Sequence, residues 1–324
     1  MILHDKGLYY QGIDLWMDSK RIKPSCYISH AHADHTAKHK RIICTPETAA
    51  LTCHRLGNLG VNRVGYDQWV ASNGARFKLF PAGHILGSSQ ILIETDHIRL
   101  VYTGDFRLGH SRTCLPAGIE QCDILVMETT YGAPQYLFPR REETEREFAA
   151  FVLEAINNRR KPIVMAYTLG KAQEAIAILA SFGIDVTVER DIYRIAKIYE
   201  RFGIKLGKYS MFNGGPFEGA LIIPPHMKNF KNIAAINNKV LIFLSGWGID
   251  GGAWNFHGID RAFLISDHCD YESLVKYVEQ VNPKRIFTLH GFEGFAQELR
   301  SLGYDAVTMK PGKEYNLSES IRPS

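Results

Sequence analysis

A cluster of metal-binding side-chain types stands near the N-terminus of the sequence. Four candidate ligands fall within six residues, directly after a short apolar run that predicts a strand: His30, His32, Asp34 and His35. Imidazole and carboxylate groups suit zinc and other first-row metals. On a loop that leaves a strand, His30 and His32 can face one ion. Asp34 and His35 can then turn to a neighbouring ion, so the motif predicts a site for two metals.

Two further candidate ligands follow later predicted strands. His84 comes after the strand predicted at residues 76–79, and Asp105 follows the strand predicted at residues 100–103. A glycine precedes each of them and lets the backbone turn tightly. A carboxylate can bridge two ions, and two ions can clamp the attacking and leaving oxygens of an in-line displacement. We therefore expect His84 and Asp105 to complete the site.

Other acidic and imidazole residues also stand at the ends of predicted strands. Asp18 lies a short strand upstream of His30 and can orient a ligand histidine by accepting its second N–H. Glu128, His268 and His290 follow apolar runs as well. Each of these three, considered alone, is better explained as a hydrogen-bonded residue at a strand end.

The elements that must position these residues change in character along the chain. Up to about residue 132 the apolar runs are short and bounded by turn residues, which predicts strands at 26–29, 76–79, 90–94, 100–103 and 124–128. A helix with 3.6-residue periodicity is predicted at 140–158. Strands and helices then alternate, with strands at 163–166, 186–188, 220–223 and 240–244 and helices at 171–182 and 191–202. This alternation predicts a small α/β unit with a parallel sheet.

The last part of the chain repeats the alternation. Strands are predicted at 262–265, 285–289 and 306–309, with helices that begin near Tyr271 and Gly294 and a strand-like stretch at 314–317. The chain has no internal repeat and no low-complexity linker, so a second domain is expected to be an insertion.

Composition narrows the class of protein but not its substrate. The chain has 324 residues and a net charge of +4, an excess too small to indicate nucleic acid by itself. Its six cysteines are scattered, without the paired spacing of a zinc finger or redox motif. We expect free thiols in a reducing compartment. No membrane-length apolar run and no secretion signal stand out, so the expected location is the cytoplasm, with no membrane partner.

The order of these motifs resembles the β-CASP branch of the metallo-β-lactamase superfamily. This branch contains nucleases such as ribonuclease J, Artemis and the endonuclease of messenger-RNA 3′-end processing. The resemblance spans nearly the whole chain, and its matching positions are Asp18, residues 30–35, His84, Asp105, Glu128, His268 and His290.

The resemblance implies roles for these residues. One zinc ion is expected on His30, His32 and His84. A second is expected on Asp34, His35 and His290, with Asp105 bridging the two. Manganese or iron can occupy such ligands as well. His268, paired with Glu128, is expected to protonate or stabilise the leaving oxygen, with Asp34 also counted among the catalytic residues.

The resemblance also implies an α/β fold with a specific division of the chain. An αββα metallo-β-lactamase sandwich is expected to contain residues 1–132 and 253–324. The intervening residues 133–252 are expected to form an inserted α/β β-CASP cap.

A finer resemblance links residues 167–173 and 244–247 to a bacterial and archaeal group. These are the ligase-associated DNA exonucleases, also called mRNA 3′-end processing factor-like exonucleases. It implies a functional association with a DNA ligase. Because a helix N-terminus with a lysine can seat a phosphate, Lys171 is a candidate substrate contact, together with Thr168 and Ser245. An ordinary helix start with a solvated lysine explains Lys171 equally well.

The favoured interpretation is a two-zinc phosphodiesterase that acts as a DNA exonuclease in DNA repair or processing. An RNA-processing ribonuclease is the alternative, because His290 matches the last motif of the RNA-processing members. A small-molecule hydrolase of the same fold and a structural subunit without activity are further alternatives. The Glu128 and His268 pair argues against the former, and the complete set of ligands argues against the latter.

Overall fold

The chain forms two compact units. The structure, a computed structural model, describes residues 1–247 and 258–317. The first unit contains Met1–His110, Cys114–Tyr136 and the chain from His268 onward, and the second contains Ser111–Thr113 and Leu137–Asp267. The sequence prediction ends the inserted unit at residue 252 and starts the last part at residue 253, and both positions lie outside the described residues.

The first unit contains two seven-stranded sheets. The strands of the first sheet are β1 (Ile2–His4), β2 (Leu8–Tyr10), β3 (Leu15–Met17), β4 (Ser25–Tyr27), β5 (Arg41–Cys44), β6 (Val61–Arg63) and β20 (Lys313–Tyr315). They lie in the order β20-β1-β2-β3-β4-β5-β6. Strands β3 to β6 pair in parallel, whereas β1 pairs antiparallel with both of its neighbours.

The second sheet of this unit carries the longer strands. They are β7 (Val70–Ser72), β8 (Ala75–Pro81), β9 (Ser89–Glu94), β10 (Arg99–Tyr102), β11 (Ile124–Thr129), β18 (Arg285–Gly291) and β19 (Ala306–Thr308), in the order β19-β18-β11-β10-β9-β8-β7. Side chains alternate between its two faces. Ile124 and Val126 join the core that also contains Met17 and Tyr27 of the first sheet, whereas Leu125 joins a second core. Because both faces are covered, β11 is an unbroken apolar run until its last residues.

Helices cover the outer faces of both sheets. They are α1 (Pro46–Leu56), α6 (Tyr271–Val281) and α7 (Phe295–Ser301). Ala49 of α1 packs on Ile42 of the first sheet. Leu274 of α6 and Leu299 of α7 join the core behind Leu125 of the second sheet. The resulting helix-sheet-sheet-helix layering confirms the predicted αββα class.

The second unit is built on a wholly parallel sheet. Its strands are β12 (Lys161–Met165), β13 (Val186–Val188), β14 (Tyr209–Met211), β15 (Ala220–Ile223), β16 (Lys239–Leu244) and β17 (Arg261–Phe263), in the order β14-β13-β15-β12-β16-β17. Its helices are α2 (Arg141–Asn157), α3 (Lys171–Ser181), α4 (Arg190–Arg201) and α5 (Lys231–Ala234). The α/β character expected of the insertion is therefore present.

One strand differs from its predicted placement. The prediction assigns the strand at 262–265 to the last part of the chain, with the metal-binding core. In the structure β17 pairs in parallel with β16, through Phe243 and Ala262, and so belongs to the second unit's sheet. The choice depends on a long-range strand pairing, which a short apolar run does not encode.

No helix among the described residues is long and apolar enough to cross a membrane.

Candidate metal centre

The histidine motif lies on the loop that follows β4 and ends in a 3-10 turn at Ala33–His35. The side chains of His30 and His35 are buried, and His32 is partly exposed. Asp34 differs, because 63% of its side chain is exposed. The loop therefore presents two buried imidazoles, one partly exposed imidazole and one exposed carboxylate.

A first group of candidate ligands surrounds Asp105, which follows β10. One ligand atom from each of His30, His32, His84 and Asp105 lies within 4.8 Å of the others. Nε2 of His84 is 3.1 Å from Nδ1 of His32. Oδ2 of Asp105 is 3.5 Å from Nε2 of His30 and 3.9 Å from Nε2 of His84. A tetrahedral zinc ion with bonds of about 2.0–2.1 Å separates its ligand atoms by about 3.3 Å, which is close to these distances.

A second group shares the same carboxylate oxygen. Nε2 of His35 lies 3.4 Å from Oδ2 of Asp105 and 3.6 Å from Oδ2 of Asp34. The ring of His290 has its centre 5.9 Å from that of His35. Oδ2 of Asp105 therefore lies near imidazoles of both predicted ligand sets. Among the described residues, however, Asp34 and His290 belong to no group of three or more candidate ligand atoms that lie within 4.8 Å of one another. The second ion and the bridging role of Asp105 stay predictions.

Asp18 fixes the orientation of the imidazoles. It follows β3 with a left-handed backbone (φ 48°), and its Oδ2 lies 2.9 Å from Nδ1 of His35. The same carboxylate accepts hydrogen bonds from Ser29 N (2.7 Å) and Tyr102 Oη (2.8 Å). Ser29 Oγ in turn lies 2.9 Å from Nδ1 of His30. These contacts occupy the Nδ1 atoms and leave Nε2 of both histidines directed at Asp105, an arrangement that orients metal ligands.

One buried atom tests whether the cluster fits a metal. Nε2 of His30 is fully buried and has no hydrogen-bond partner within the described part of the chain. Buried polar atoms without partners are rare because each costs free energy. A cation bound between His30 and Asp105 would satisfy this atom, so the donor set fits a metal ion.

The pKa values of the clustered side chains depend on one another. Burial, together with His35, holds the pKa of His30 well below its usual value. Burial also opposes the charged form of His35, but Asp105 and Asp18 outweigh it and raise its pKa well above the usual value. The pKa of Asp105 is held well below its usual value because His35 and His30 outweigh the effect of burial. The carboxylate is therefore ionised and ready to bind a cation.

His290 reaches the cluster through a bulge in the second sheet. Glu128 pairs with Leu289 and Thr129 with Gly291, so His290 is the additional residue on β18. Its backbone is left-handed (φ 51°), which side chains other than glycine seldom adopt. Bulges commonly redirect a side chain beside an active site. His290 is nevertheless an exposed residue. Partial desolvation and the nearby His35 lower its pKa, which favours the neutral imidazole.

A histidine and a carboxylate form a pair beside the candidate ligands. Oε1 of Glu128 lies 2.7 Å from Nδ1 of His268, and the ring centre of His268 is 4.7 Å from that of His84. Glu128 is buried at the end of β11 and accepts hydrogen bonds from Phe106 N (3.1 Å) and Thr130 N (3.0 Å). The carboxylate is held rigidly, and it occupies one nitrogen of His268.

The three candidate phosphate contacts lie in the second unit. Lys171 is the first residue of α3, and its Nζ forms an ion pair of 2.8 Å with Asp267. Thr168 accepts a hydrogen bond from Gln173 through its carbonyl oxygen, and Ser245 is buried. Their contact with a substrate phosphate stays a prediction, and such a contact by Lys171 would compete with its pairing to Asp267.

Sequence reasoning gave no role to the residues that hold Asp18. Ser29 stands next to the metal motif, and this adjacency could have identified it. Tyr102 is 84 residues from Asp18, and nothing in the sequence pattern indicates their contact. Supporting contacts of this kind arise only when distant strand ends come together.

Comparisons with known proteins are consistent with this site. Residues 261–310 match the family model described as the Zn-dependent metallo-hydrolase RNA specificity domain. The chain is 36% identical over 98% of its length to a probable DNA ligase from Opitutus terrae, of which it covers 32%. It is 28% identical over 82% of its length to an RNase J-like protein from Methanocaldococcus jannaschii, of which it covers 80%. It is 24% identical over 78% of its length to RNase aCSPSF2 from Saccharolobus solfataricus, of which it covers 61%.

The chain spans about a third of the length of the first of these relatives. The family match, the names of these relatives and the buried histidine and aspartate cluster agree with the resemblance found in the sequence. The chain is thus similar to β-CASP nucleases of the metallo-β-lactamase fold, and the family model that matches its residues 261–310 describes a zinc-dependent metallo-hydrolase.

Proposed function

We propose that this protein is a two-zinc phosphodiesterase that degrades DNA as an exonuclease. In this proposal His30, His32 and His84 would hold one ion, Asp34, His35 and His290 would hold the other, and Asp105 would contribute to both. The observation that carries the proposal is the single atom Oδ2 of Asp105, which lies within 3.5 Å of Nε2 of His30 and 3.4 Å of Nε2 of His35.

The side chains around the site determine what it can do. When bound, two zinc ions would activate water at neutral pH and neutralise charge on a phosphodiester. Asp18 keeps the ligand histidines in the orientation that binds a cation, through His35 directly and through Ser29 and His30. Asp34 is exposed, so the second ion would lie on the side of the site that substrate can approach.

His268 is proposed to protonate the leaving oxygen. Its Nδ1 is paired with the buried Glu128, so the proposal assigns the proton transfer to Nε2. A buried carboxylate stabilises the imidazolium form of a histidine and makes it a suitable acid for an alkoxide leaving group. A positioned acid of this kind typically contributes roughly 10²–10⁴-fold to the rate.

The names of similar proteins support both DNA and RNA as the substrate. The relative named as a probable DNA ligase aligns with nearly the whole chain at 36% identity. This match favours DNA and a functional association with a ligase. The RNA specificity family model and the RNase-named relatives favour RNA as the second candidate. The six free thiols agree with action in the cytoplasm, a reducing compartment.

A matched degradation assay tests the proposal. Single-stranded DNA and RNA of one sequence, labelled at each end in turn, are incubated with the zinc-loaded protein with and without a chelator. We expect chelator-sensitive laddering of the DNA from one end. The variant His268→Ala should lower the rate by roughly 10²–10⁴-fold while retaining bound zinc. His226→Ala, which removes an exposed histidine outside the site, serves as the control.

Each other outcome has a definite meaning. Preferential cleavage of RNA would replace the DNA assignment with the RNA candidate. Failure of the zinc-loaded protein to cleave either polymer would contradict the nuclease proposal and leave a small-molecule hydrolase. Full activity of His268→Ala would remove the proposed role of that residue alone.

A further inference from the structure

Two short basic segments lie against each other on the first unit. Residues 20–23 contain three cations and residues 38–41 contain three more. The backbone N–H of Lys40 donates to the carbonyl oxygen of Lys23 at 3.1 Å, and the N–H of Lys23 donates to Nδ1 of His39 at 3.1 Å. A third segment joins them, because Lys20 N donates to the carbonyl oxygen of Lys6 at 2.8 Å. The seven cations brought together are Lys6, Lys20, Arg21, Lys23, Lys38, Lys40 and Arg41.

These cations are mostly exposed and weakly neutralised. Lys20, Lys38 and Lys40 are exposed, as are Lys6, Arg21 and Arg41. Between Asp18 and Glu47 the sequence has one acidic residue, Asp34, which is a candidate metal ligand. Among the described residues, the ion pair formed by this group is that of Arg21 with Asp5, at 3.7 Å. A cluster this rich in cations produces a positive potential that attracts polyanions.

The basic segments are held in place by buried neighbours. His39 is almost fully buried, and burial lowers its pKa, so its Nδ1 remains an acceptor for Lys23 N at neutral pH. Nζ of Lys23 lies 3.2 Å above the ring of Trp16. Nε of Arg41 donates to Oγ of Ser25 at 3.2 Å. The cations therefore project from a fixed surface rather than from a disordered tail.

The strand order gives this surface a direction. Strands β3, β4 and β5 are parallel neighbours, so each connection between them must return along the sheet. Asp18 follows the C-terminal end of β3, and the histidine motif follows that of β4. The basic segments lie in the two return connections, residues 18–24 and 28–40, and Arg41 is the first residue of β5. They run from the end of the sheet that carries Asp18 and His35 toward the opposite end.

The length of this path suits several nucleotides. Three-residue strand β4 is about 10 Å long at about 3.3 Å per residue. Phosphates along one strand of a duplex are about 3.4 Å apart along its axis, and they lie farther apart in an extended single strand, so a path of this length passes more than one phosphate. We propose that these seven cations form a basic track that binds the phosphate backbone of the nucleic-acid strand leading away from the metal centre. This inference rests on the proposed nuclease function.

The test compares two variants that each lose three positive charges, one within the track and one in other parts of the chain. The track variant is Lys20→Gln/Lys38→Gln/Lys40→Gln. The control variant is Lys231→Gln/Lys276→Gln/Lys284→Gln, which removes three exposed lysines in other parts of the chain. Binding of the zinc-loaded proteins to long single-stranded phosphorothioate DNA and RNA, which resist cleavage, is measured by fluorescence anisotropy across a range of salt concentrations.

The expected result is a selective loss in the track variant. At low salt its affinity for the long strand should fall about tenfold or more. Its slope of log affinity against log salt should shrink by about 2, because each lost phosphate contact on a single strand contributes about 0.7. The control should keep the wild-type slope. Hydrolysis of a dinucleotide, which is too short to follow the track, should be equal in both variants.

Three outcomes would overturn the proposal of a basic track, and each can be distinguished from failure of the nuclease proposal. Equal slopes in the two triple variants would place the phosphate contacts elsewhere. An equal loss on the dinucleotide would mean that the lysines act on the metal centre. Tighter binding of wild type to phosphatidylserine vesicles than to either oligonucleotide would assign the surface to a membrane. Failure of the nuclease proposal would instead leave binding and its salt slope intact while the metal-loaded protein cleaves nothing.

Discussion

Two buried clusters of charged groups, one in each unit, show how a ligand site differs from a structural network. In the second unit, Arg141 contacts Glu145 at 2.9 Å and Glu174 at 3.0 Å, and Arg112 contacts Glu145 at 2.8 Å. Thr113 donates to the second oxygen of Glu174 at 2.6 Å. Two guanidinium groups therefore face two carboxylates, and every carboxylate oxygen has a donor.

In the cluster of the first unit, by contrast, one buried polar atom lacks a hydrogen-bond partner among the described residues. Its imidazole rings lie 4.1–4.9 Å apart around one shared carboxylate, Asp105. Nε2 of His30 has no hydrogen-bond partner within the described residues. A structural network satisfies its own members, because breaking a buried pair is costly. A site for an external cation leaves donor atoms directed at one point, and this incompleteness distinguishes the two clusters.

The largest expected effect is a loss of activity when the first unit's cluster is changed, but not when the second unit's cluster is changed. Replacement of the shared carboxylate, Asp105→Ala, should lower phosphodiesterase activity by roughly 10³-fold or more, because it removes the group on which both sets of ligands depend. Initial rates at saturating substrate measure the effect. The variant Glu174→Ala provides the contrast, and a comparable loss of activity in folded Glu174→Ala protein would remove the distinction.

Stability should depend more on Glu174 than on Asp105, which is the opposite of the order expected for activity. Glu174→Ala leaves Arg141 without one of its partners, and breaking a buried ion pair typically costs about 3–5 kcal/mol. Urea denaturation of the metal-free protein should show this decrease in the free energy of unfolding. Asp105→Ala should lower that free energy less, since Asp18 still contacts the imidazole of His35 when Asp105 is removed. A larger decrease in Asp105→Ala than in Glu174→Ala would contradict the comparison.

Zinc should stabilise the protein through one cluster only. A ligand present at 100 to 1,000 times its dissociation constant raises the free energy of unfolding by about 3–4 kcal/mol. Wild type and Glu174→Ala should both gain this amount when zinc is added to the metal-free protein. Asp105→Ala should gain much less, as measured by thermal or urea denaturation. Equal gains in all three proteins would place zinc outside the cluster.

The smallest expected effect is the release of protons when zinc binds to the metal-free protein. The raised pKa of His35 means that its imidazole is protonated near neutral pH in the metal-free protein. A zinc ion that binds Nε2 must displace that proton, so its affinity should fall as the pH decreases. Calorimetric titration in buffers of different ionisation enthalpy should report release of about one proton or more per chain at pH 7. A binding enthalpy independent of the buffer would contradict this protonation state.

How far the sequence could predict this molecule depends on the range of the contacts. The histidine motif could be recognised because its members are contiguous, and β13 and β15 were predicted at their observed bounds because their apolar runs have clear ends. The pairing of β17 with β16 could not be predicted, since a short apolar run fits either sheet. Helix α1 was overlooked, although Thr45 caps it and Pro46 begins it.

The candidate site shows the same difference between local sequence patterns, which could be predicted, and long-range contacts, which could not. The candidate ligands could be predicted from residue type and position after strands. The bulge that contains His290 could not, because it depends on the register of β18 against β11. The contact between Tyr102 and Asp18 is equally invisible in sequence, as is the pairing of Lys171 with Asp267. Each of these is a single contact between distant segments that leaves no periodic pattern.

Metal content of the purified protein tests the central claim most directly. Elemental analysis by mass spectrometry should find about two zinc ions per chain in the wild type after incubation with zinc and desalting, the number that a bridged pair of sites holds. Glu174→Ala should hold the same amount, and Asp105→Ala markedly less. Wild type that retains no stoichiometric metal, or Asp105→Ala that retains as much as the wild type, would contradict the assignment of this cluster as the metal centre.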